Sequence, residues 1–407
     1  MIDSADEEWP ERVMRQRLPT LRVEEVAEGI FWAQSFANAG WVVTDDGIVL
    51  IDTAGGIGSA ALREELRRRT DLPVRYLIYT HGHEDHVVGA HLLTDEGTRV
   101  IAHEMVPERL RKYELLREHT NRINSLQFHI DFSALRPAYR YPDVTYHDSY
   151  DFELGGRRFQ LFHGRGETDD ATVIHIPDAG VVFSGDFVIN VFPNVGNPFK
   201  VVRFEREWFE TLERILQLAP TALVPGHGLS LLQGPRVREA LQHNIEALRF
   251  LHQEVSRRLN EGQGLDRMVS EVRLPPHLAQ SPHLRQLYSR VEFAVITIHR
   301  RYAGWYDGDP ADLIPTPRRE TACILRELIG DDERIVARAR ALWQDGQPLQ
   351  AIAVLQTLLR AEEGHVEGRK LRLAIMEELS AADRCLMSRS VWLHFAELDR
   401  GFLSGQP

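Results

Sequence analysis

Two rhythms of apolar and polar positions divide this chain near Gly234. Before it, short apolar runs bounded by glycine, aspartate and asparagine recur at strand length. Residues 29–33 and 40–44 read as paired strands. Residues 47–53, behind the turn signal Asp45-Asp46-Gly47, read as a central strand. Residues 76–79, 99–102, 158–162, 171–176 and 180–184 continue the series, while 60–69 has helical periodicity. This mixture predicts an α/β fold of sheets covered by helices. Residues 104–150 break the rhythm and read as an insertion, either a lid or substrate wall or a plain surface excursion. Beyond Gly234 strand signals vanish. Residues 237–258 read as one long amphipathic helix, and 334–359 and 369–379 repeat its pattern. Within them, 337–343 and 350–355 resemble a helical-hairpin repeat. A single hairpin cannot bury its apolar face alone, so it must pack on this chain or on a second copy.

The run Tyr76-Leu77-Ile78-Tyr79 feeds directly into Thr80-His81-Gly82-His83-Glu84-Asp85-His86. Imidazole and carboxylate are groups that a divalent ion such as zinc takes as ligands. Alternate residues of an extended segment point the same way, so His81 and His83 can converge on one ion. Asp85 and His86, past the turn, can face a second. The bland alternative is a polar loop with incidental histidines, and the close packing of ligand-type groups weighs against it. Three more ligand-type residues follow apolar strands on glycine-containing turns: Glu167 in Gly164-Arg165-Gly166-Glu167, Asp186 in Ser184-Gly185-Asp186, and His227 in Pro225-Gly226-His227-Gly228. That placement suits a site at one edge of a sheet.

Composition narrows the setting. The 407 residues leave room for two or three domains, and 43% hydrophobic against 27% charged residues is the balance of a globular chain. Residues 1–18 are charged throughout and lack the apolar core of a signal peptide. No run reaches the length of a membrane span, so a cytoplasmic setting is expected. A net charge of −12 disfavours nucleic acid as a partner. Cys323 and Cys385 read as ordinary thiols. Lysine occurs only at Lys112, Lys200 and Lys370, which draws attention to the loop after Asp186. There Asn190, Asn197, Lys200 and Arg203 are candidates for holding an anionic substrate group. Alternatively, the asparagines satisfy the loop's own turns.

The order Thr-His-x-His-x-Asp-His, Ser-Gly-Asp and Pro-Gly-His-Gly resembles the metallo-β-lactamase superfamily over residues 22–235. The resemblance implies an αββα sandwich, two metal ions (usually zinc) and hydrolysis by a hydroxide bridged between them. Carried to this sequence, His81 and His83 bind the first ion, Asp85, His86 and His227 the second, and Asp186 bridges both. Asp186 and Asp85 are then the catalytic candidates. Most of the superfamily has Pro-Gly-His-Thr where this chain has Arg165-Gly166-Glu167-Thr168, so Glu167 replaces an imidazole of the first site. Water could instead complete that site, and Asp169 or Asp170 could substitute or orient the histidines. A carboxylate adds negative charge and lowers Lewis acidity, and it suits iron or manganese better than an all-imidazole set does.

The same substitution marks the alkylsulfatase branch. Residues 298–313, including Gly304-Trp305-Tyr306-Asp307-Gly308, and the hairpin beyond resemble the alkylsulfatase dimerisation domain, which implies a homodimer. The chain departs from that branch in lacking its Arg-Gly-Ala motif and in having Ile189-Asn190 for His-Asn. The expected organisation is an N-terminal segment (1–21), a catalytic domain (22–235) and an all-α dimerisation domain (236–407). The expected function is metal-dependent hydrolysis of an ester with an anionic group, such as an alkyl sulfate. Carboxylic esters, lactones, β-lactams and phosphoesters are alternatives, as is iron-based redox chemistry on the same fold.

Overall fold

A computed structural model describes residues 21–228, 231–306 and 308–405. The expected N-terminal segment lies outside them except for Leu21, as does Asp307.

A seven-stranded sheet runs in chain order: β1 (Arg22–Ala27), β2 (Ile30–Gln34), β3 (Ala39–Thr44), β4 (Gly47–Ile51), β5 (Val74–Ile78), β6 (Arg99–His103) and β7 (Val144–Tyr146). Strands β1 to β4 pair antiparallel and β4 to β7 parallel. A six-stranded sheet holds β8 (Ser149–Leu154), β9 (Arg157–Gly164), β10 (Ala171–Ile176), β11 (Val181–Gly185), β12 (Ala222–Pro225) and β13 (Leu232–Gln233). Only its β11–β12 pair is parallel.

Strand β4 explains the layering. Every residue of Gly47–Ile51 is buried, because both faces of the sheet are covered. Val49 and Ile51 join Ile78, Phe159, Ile174 and Phe183 in the core between the sheets. Ile48 and Leu50, on the opposite face, join Leu62 and Leu66 of helix α1 (Gly55–Arg69). Further short helices follow in α2 (Glu84–Val87) and α3 (Ala90–Leu93). The outer face of the second sheet packs on α6 (Glu205–Gln217), α7 (Pro235–Asn260), α8 (Leu265–Glu271) and α10 (Val291–Ala303), through Trp208, Leu241, Leu248, Met268 and Val295. Helix, sheet, sheet, helix is the expected sandwich.

The region 104–150 is more integrated than an excursion. It forms α4 (Val106–Leu115) and α5 (Arg117–Phe128), and Val106 and Leu110 enter the core beneath the first sheet. Strand β7 then adds to that sheet's edge. Three residues are too few for a period-two signal, so this strand was not visible in the sequence.

The chain forms two compact units: residues up to Arg122 with Phe132–Tyr302, and Ile123–Asp131 with the residues from Ala303 on. The division therefore falls near residue 302, beyond the expected 236. The apolar stripe of α7 predicts a helix but not what it buries against; Val237, Leu241, Leu248 and Val255 share the core of the second sheet. After the short α9 (Pro276–Ala279) and α11 (Pro310–Leu313), the second unit is built from α12 (Arg318–Ile329), α13 (Asp332–Gln344), α14 (Pro348–Ala361), α15 (Val366–Ala382) and α16 (Leu386–Ser404). Gly346, in the left-handed region, turns α13 into α14, and Ala339, Leu355, Leu371 and Ile375 form their core. Among the described residues no helix is long and apolar enough to cross a membrane.

Candidate metal centre

The histidine loop is anchored at both ends by one carboxylate. Asp52, just past β4, adopts a left-handed backbone with φ 57°. Its Oδ1 accepts the Thr80 N–H at 2.8 Å and its Oδ2 accepts the Thr80 hydroxyl at 2.6 Å. The same Oδ2 lies 2.8 Å from His86 Nδ1. Between these anchors the backbone changes type. His83 is extended, and α2 begins at Glu84, so Asp85 and His86 leave the extended register and point elsewhere than His81 and His83.

Two clusters result: His81, His83 and Asp186, and Asp85, His86 and His227, each with its ligand-type atoms within 4.8 Å of one another. His81 Nε2 lies 2.9 Å from His83 Nδ1, and His86 Nε2 lies 3.3 Å from His227 Nε2. Asp186 stands between the clusters. Its Oδ2 is 3.6 Å from His81 Nε2 and 3.4 Å from His227 Nε2, and its Oδ1 is 3.4 Å from His86 Nε2. Asp85 Oδ2 is 3.3 Å from His227 Nε2.

The donor set fits divalent ions. His227 Nδ1–H donates to the Phe36 carbonyl at 2.6 Å, and Asp52 takes His86 Nδ1, so Nε2 is the nitrogen that both rings present inward. Outward partners that fix the inward nitrogen are the usual support of ligating histidine. Asp186 Oδ1 is buried and makes no hydrogen bond. Gly226 permits this approach: a Cβ there would lie 2.1 Å from that oxygen. Burial holds His81 down to about 4 and His83 well below the usual imidazole range. Burial pushes the Asp85 carboxyl up, but His86 and His227 override it and hold it at about 2. The same contest holds Asp186 well below its ordinary value. In return, Asp186 outweighs burial at His227 and raises it to about 10. The carboxylates thus concentrate a negative potential that calls for cations at this point.

Glu167 belongs to neither cluster. Its Oε1 accepts Asn194 Nδ2–H at 2.7 Å and is ion-paired with Arg203. Arg203 Nη1 also donates to the Glu167 main-chain carbonyl at 3.1 Å. Asp169 and Asp170 are occupied with Arg109 of α4, and Asp170 Oδ2 also accepts the Gly82 N–H at 3.2 Å. On the other side of the loop, Glu84 accepts Arg117 Nη1–H at 2.6 Å and pairs with the Tyr139 hydroxyl. The inserted helices are therefore bolted to the histidine loop.

The candidate substrate residues do not converge. Asn197 Oδ1 accepts the Phe199 N–H at 2.8 Å, within its own turn. Asn190 has a left-handed backbone and lies against Gly228. Burial pushes the Lys200 ammonium down to about 8, opposed by Glu84 and Asp85. Arg203 is committed to Glu167. Sequence reasoning missed Asp52 and Arg109; only Asp52, at the end of an apolar strand, carried a signal resembling those that marked Asp186.

The metallo-beta-lactamase superfamily model matches residues 32–227, and the alkyl sulfatase dimerisation model matches residues 265–401. Over these residues the chain is similar to the metallo-β-lactamase superfamily and to the alkyl sulfatase dimerisation domain. It is 26% identical to a linear primary-alkylsulfatase of a Pseudomonas species over 88% of this chain and 73% of that one. It is 24% identical to an (R)-specific secondary-alkylsulfatase of Pseudomonas, again over 88% of this chain but only 59% of the relative. The structure of a stereoselective inverting sec-alkylsulfatase, Pisa1 from Pseudomonas, superposes with TM-score 0.86 at 23% identity, covering 94% of this chain and 66% of that one. That likeness extends the shared fold through both units. The superfamily implies divalent metal ions, in keeping with the two clusters.

Proposed function

We propose that the chain is a metal-dependent hydrolase of sulfate esters, with zinc as the first candidate metal. The observation that carries this reading is the pair of three-residue clusters joined through Asp186, in a chain similar to alkylsulfatases over most of its length. His81, His83 and Asp186 would hold one ion and Asp85, His86 and His227 the other. Bound divalent ions lower the pKa of water and stabilise negative charge building on the scissile group.

The chain's own residues do the rest. Asp52 and the Phe36 carbonyl orient His86 and His227. Asp186, between the clusters and backed by Asp85, accepts the proton of the attacking water. Lys200, whose ammonium feels the Glu84 and Asp85 carboxylates, is the candidate cation for an anionic head. The second unit, by its dimerisation domain, pairs with a second copy.

The test is a panel of alkyl sulfates, aryl sulfates, carboxylic esters, lactones and phosphate esters, with metal content measured on the same sample. Sulfate release that is lost on chelation and accompanied by two equivalents of divalent metal is the expected result. Turnover of only carboxylic or phosphate esters overturns the sulfate reading. Iron with oxygen-dependent chemistry overturns the hydrolytic one.

A further inference from the structure

We propose that Arg109 and Arg117, on the two inserted helices, are positioning residues for His83. They hold the main chain on either side of it and so set how its ring meets His81. This rests on the reading of His81, His83 and Asp186 as an ion-holding group. The four histidines of the centre are not supported alike. His86 has Asp52 behind it, His227 has the Phe36 carbonyl, and His81 Nδ1 lies 3.1 Å from the Thr80 hydroxyl. His83 Nδ1 faces His81 Nε2, and among the described residues nothing is hydrogen-bonded to His83 Nε2. Outward partners normally fix the aim of a ligating imidazole. Without one, the His83 ring takes its aim from the backbone that carries it.

Both chain neighbours of His83 are held. On one side the Gly82 N–H donates to Asp170 Oδ2 at 3.2 Å, and the same oxygen accepts Arg109 Nε–H at 2.7 Å. Arg109 Nη2 also pairs with Asp169, so one guanidinium grips two consecutive carboxylates. A Cβ at residue 82 would come 2.8 Å from Asp170 Oδ2 and 3.0 Å from Arg109 Cδ, so glycine is what admits this clamp to the main chain. On the other side Glu84 Oε1 accepts Arg117 Nη1–H at 2.6 Å and the Tyr139 hydroxyl, to which Arg117 Nη2 also donates. Asp170 is fully buried, and each arginine side chain is 12% exposed. Removing one partner of so buried a pair strands the other, so these contacts hold where surface pairs would give. Helix α4, which carries Arg109, is itself fixed through Val106 and Leu110 in the core beneath the first sheet. The clamps therefore hang on the sheet, not on the loop they hold. Neither arginine reaches a ligand directly; each acts through a carboxylate on the chain beside His83.

The test returns metal to the stripped full-length protein, with zinc affinity read by competition with a chromogenic chelator and cobalt added for its visible absorption. R109Q should weaken one equivalent of zinc about 10–100-fold, the range for lost support around a ligating histidine. That equivalent should be the one H83A abolishes, and the other should stay within a few-fold. The cobalt bands of the affected equivalent should shift, which a merely structural role would not produce. R117Q should weaken the same equivalent. Asparagine at 170 still offers an oxygen to the Gly82 N–H and carries no charge to be countered, so D170N/R109Q should regain most of the lost affinity. No recovery in that double variant overturns the proposal, as does a loss spread equally over both equivalents. A lower melting temperature of stripped R109Q with both affinities unchanged overturns it too. If R109Q does not fold, R117Q decides by the same two affinities. Two equivalents held by the unmutated protein and kept by both variants sink this proposal alone; no tightly held metal in the unmutated protein sinks the ion-holding reading as well.

Discussion

Asp52 shows how much a single buried carboxylate can organise. It accepts from the Thr80 main chain and hydroxyl and holds His86, so its loss leaves several buried polar groups unmatched. Each such group costs about 1–3 kcal/mol. Asp52→Ala should therefore unfold at markedly lower temperature and bind metal about 10–100-fold more weakly, measured by calorimetry and chelator competition. His83→Ala and Asp186→Asn should abolish turnover while circular dichroism and chromatographic behaviour stay unchanged; near-normal activity in either would remove the proposed centre. Gly226→Ala differs, because its Cβ would come within 2.1 Å of Asp186 Oδ1 and 2.6 Å of the Gly185 backbone. Backbone cannot retreat as a flexible side chain can, so that variant should lose both stability and metal. At this scale the ligand types were legible in the sequence, since a strand-end histidine or aspartate on a glycine turn is a local pattern. Partners such as Arg203 and Asp52 were not, because nothing local says which carboxylate a distant guanidinium or imidazole will meet.

Between elements, the stacked rings of His103 on β6 and His163 on β9 join the two sheets, with centroids 3.7 Å apart and planes 14° apart. His103 Nε2–H donates to the His147 carbonyl, while its Nδ1 accepts the Met105 N–H. Protonation would cost that acceptor. Burial, then the neighbouring His163, holds His103 down to about 4 from its ordinary 6.5, against weaker opposition from the His147 carbonyl, Asp170 and Glu104. The unfolded chain takes up this proton first as pH falls. The contribution is complete above the ordinary value and is lost progressively as pH drops toward the folded one. Stability should therefore decline from about pH 7.5 to about pH 4, and His103→Gln should flatten that decline in thermal melts. An unchanged slope would remove His103 as the cause. The histidine loop itself is an element problem too. The sequence displayed its residues, but the switch from extended backbone to α2 is what separates them into two clusters.

Across the second unit, large apolar side chains remain in solvent: Ile314 is 80% exposed and Leu328 78%, with Trp305 and Ile324 also uncovered. Scattered single residues would be ordinary, but these lie within the matched dimerisation domain. Leu328→Glu combined with Ile314→Glu should shift the protein from dimer toward monomer in analytical ultracentrifugation, leaving the metal content of the first unit intact. A dimer of unchanged stability would place the interface elsewhere.

The amino-acid sequence by itself determined many of the strands and helices, a class of sheets covered by helices and the metal-ligand candidates, because periodicity and ligand chemistry are local properties; the αββα sandwich followed from the family resemblance. The tertiary structure alone decided three things. It assigned α7, α8 and α10 to the core of the second sheet, since an amphipathic stripe does not name the surface that covers it. It joined β7 to the first sheet's edge. It also paired Glu167 with Arg203 and Asp52 with His86, because burial leaves charged groups only the partners that folding brings within reach.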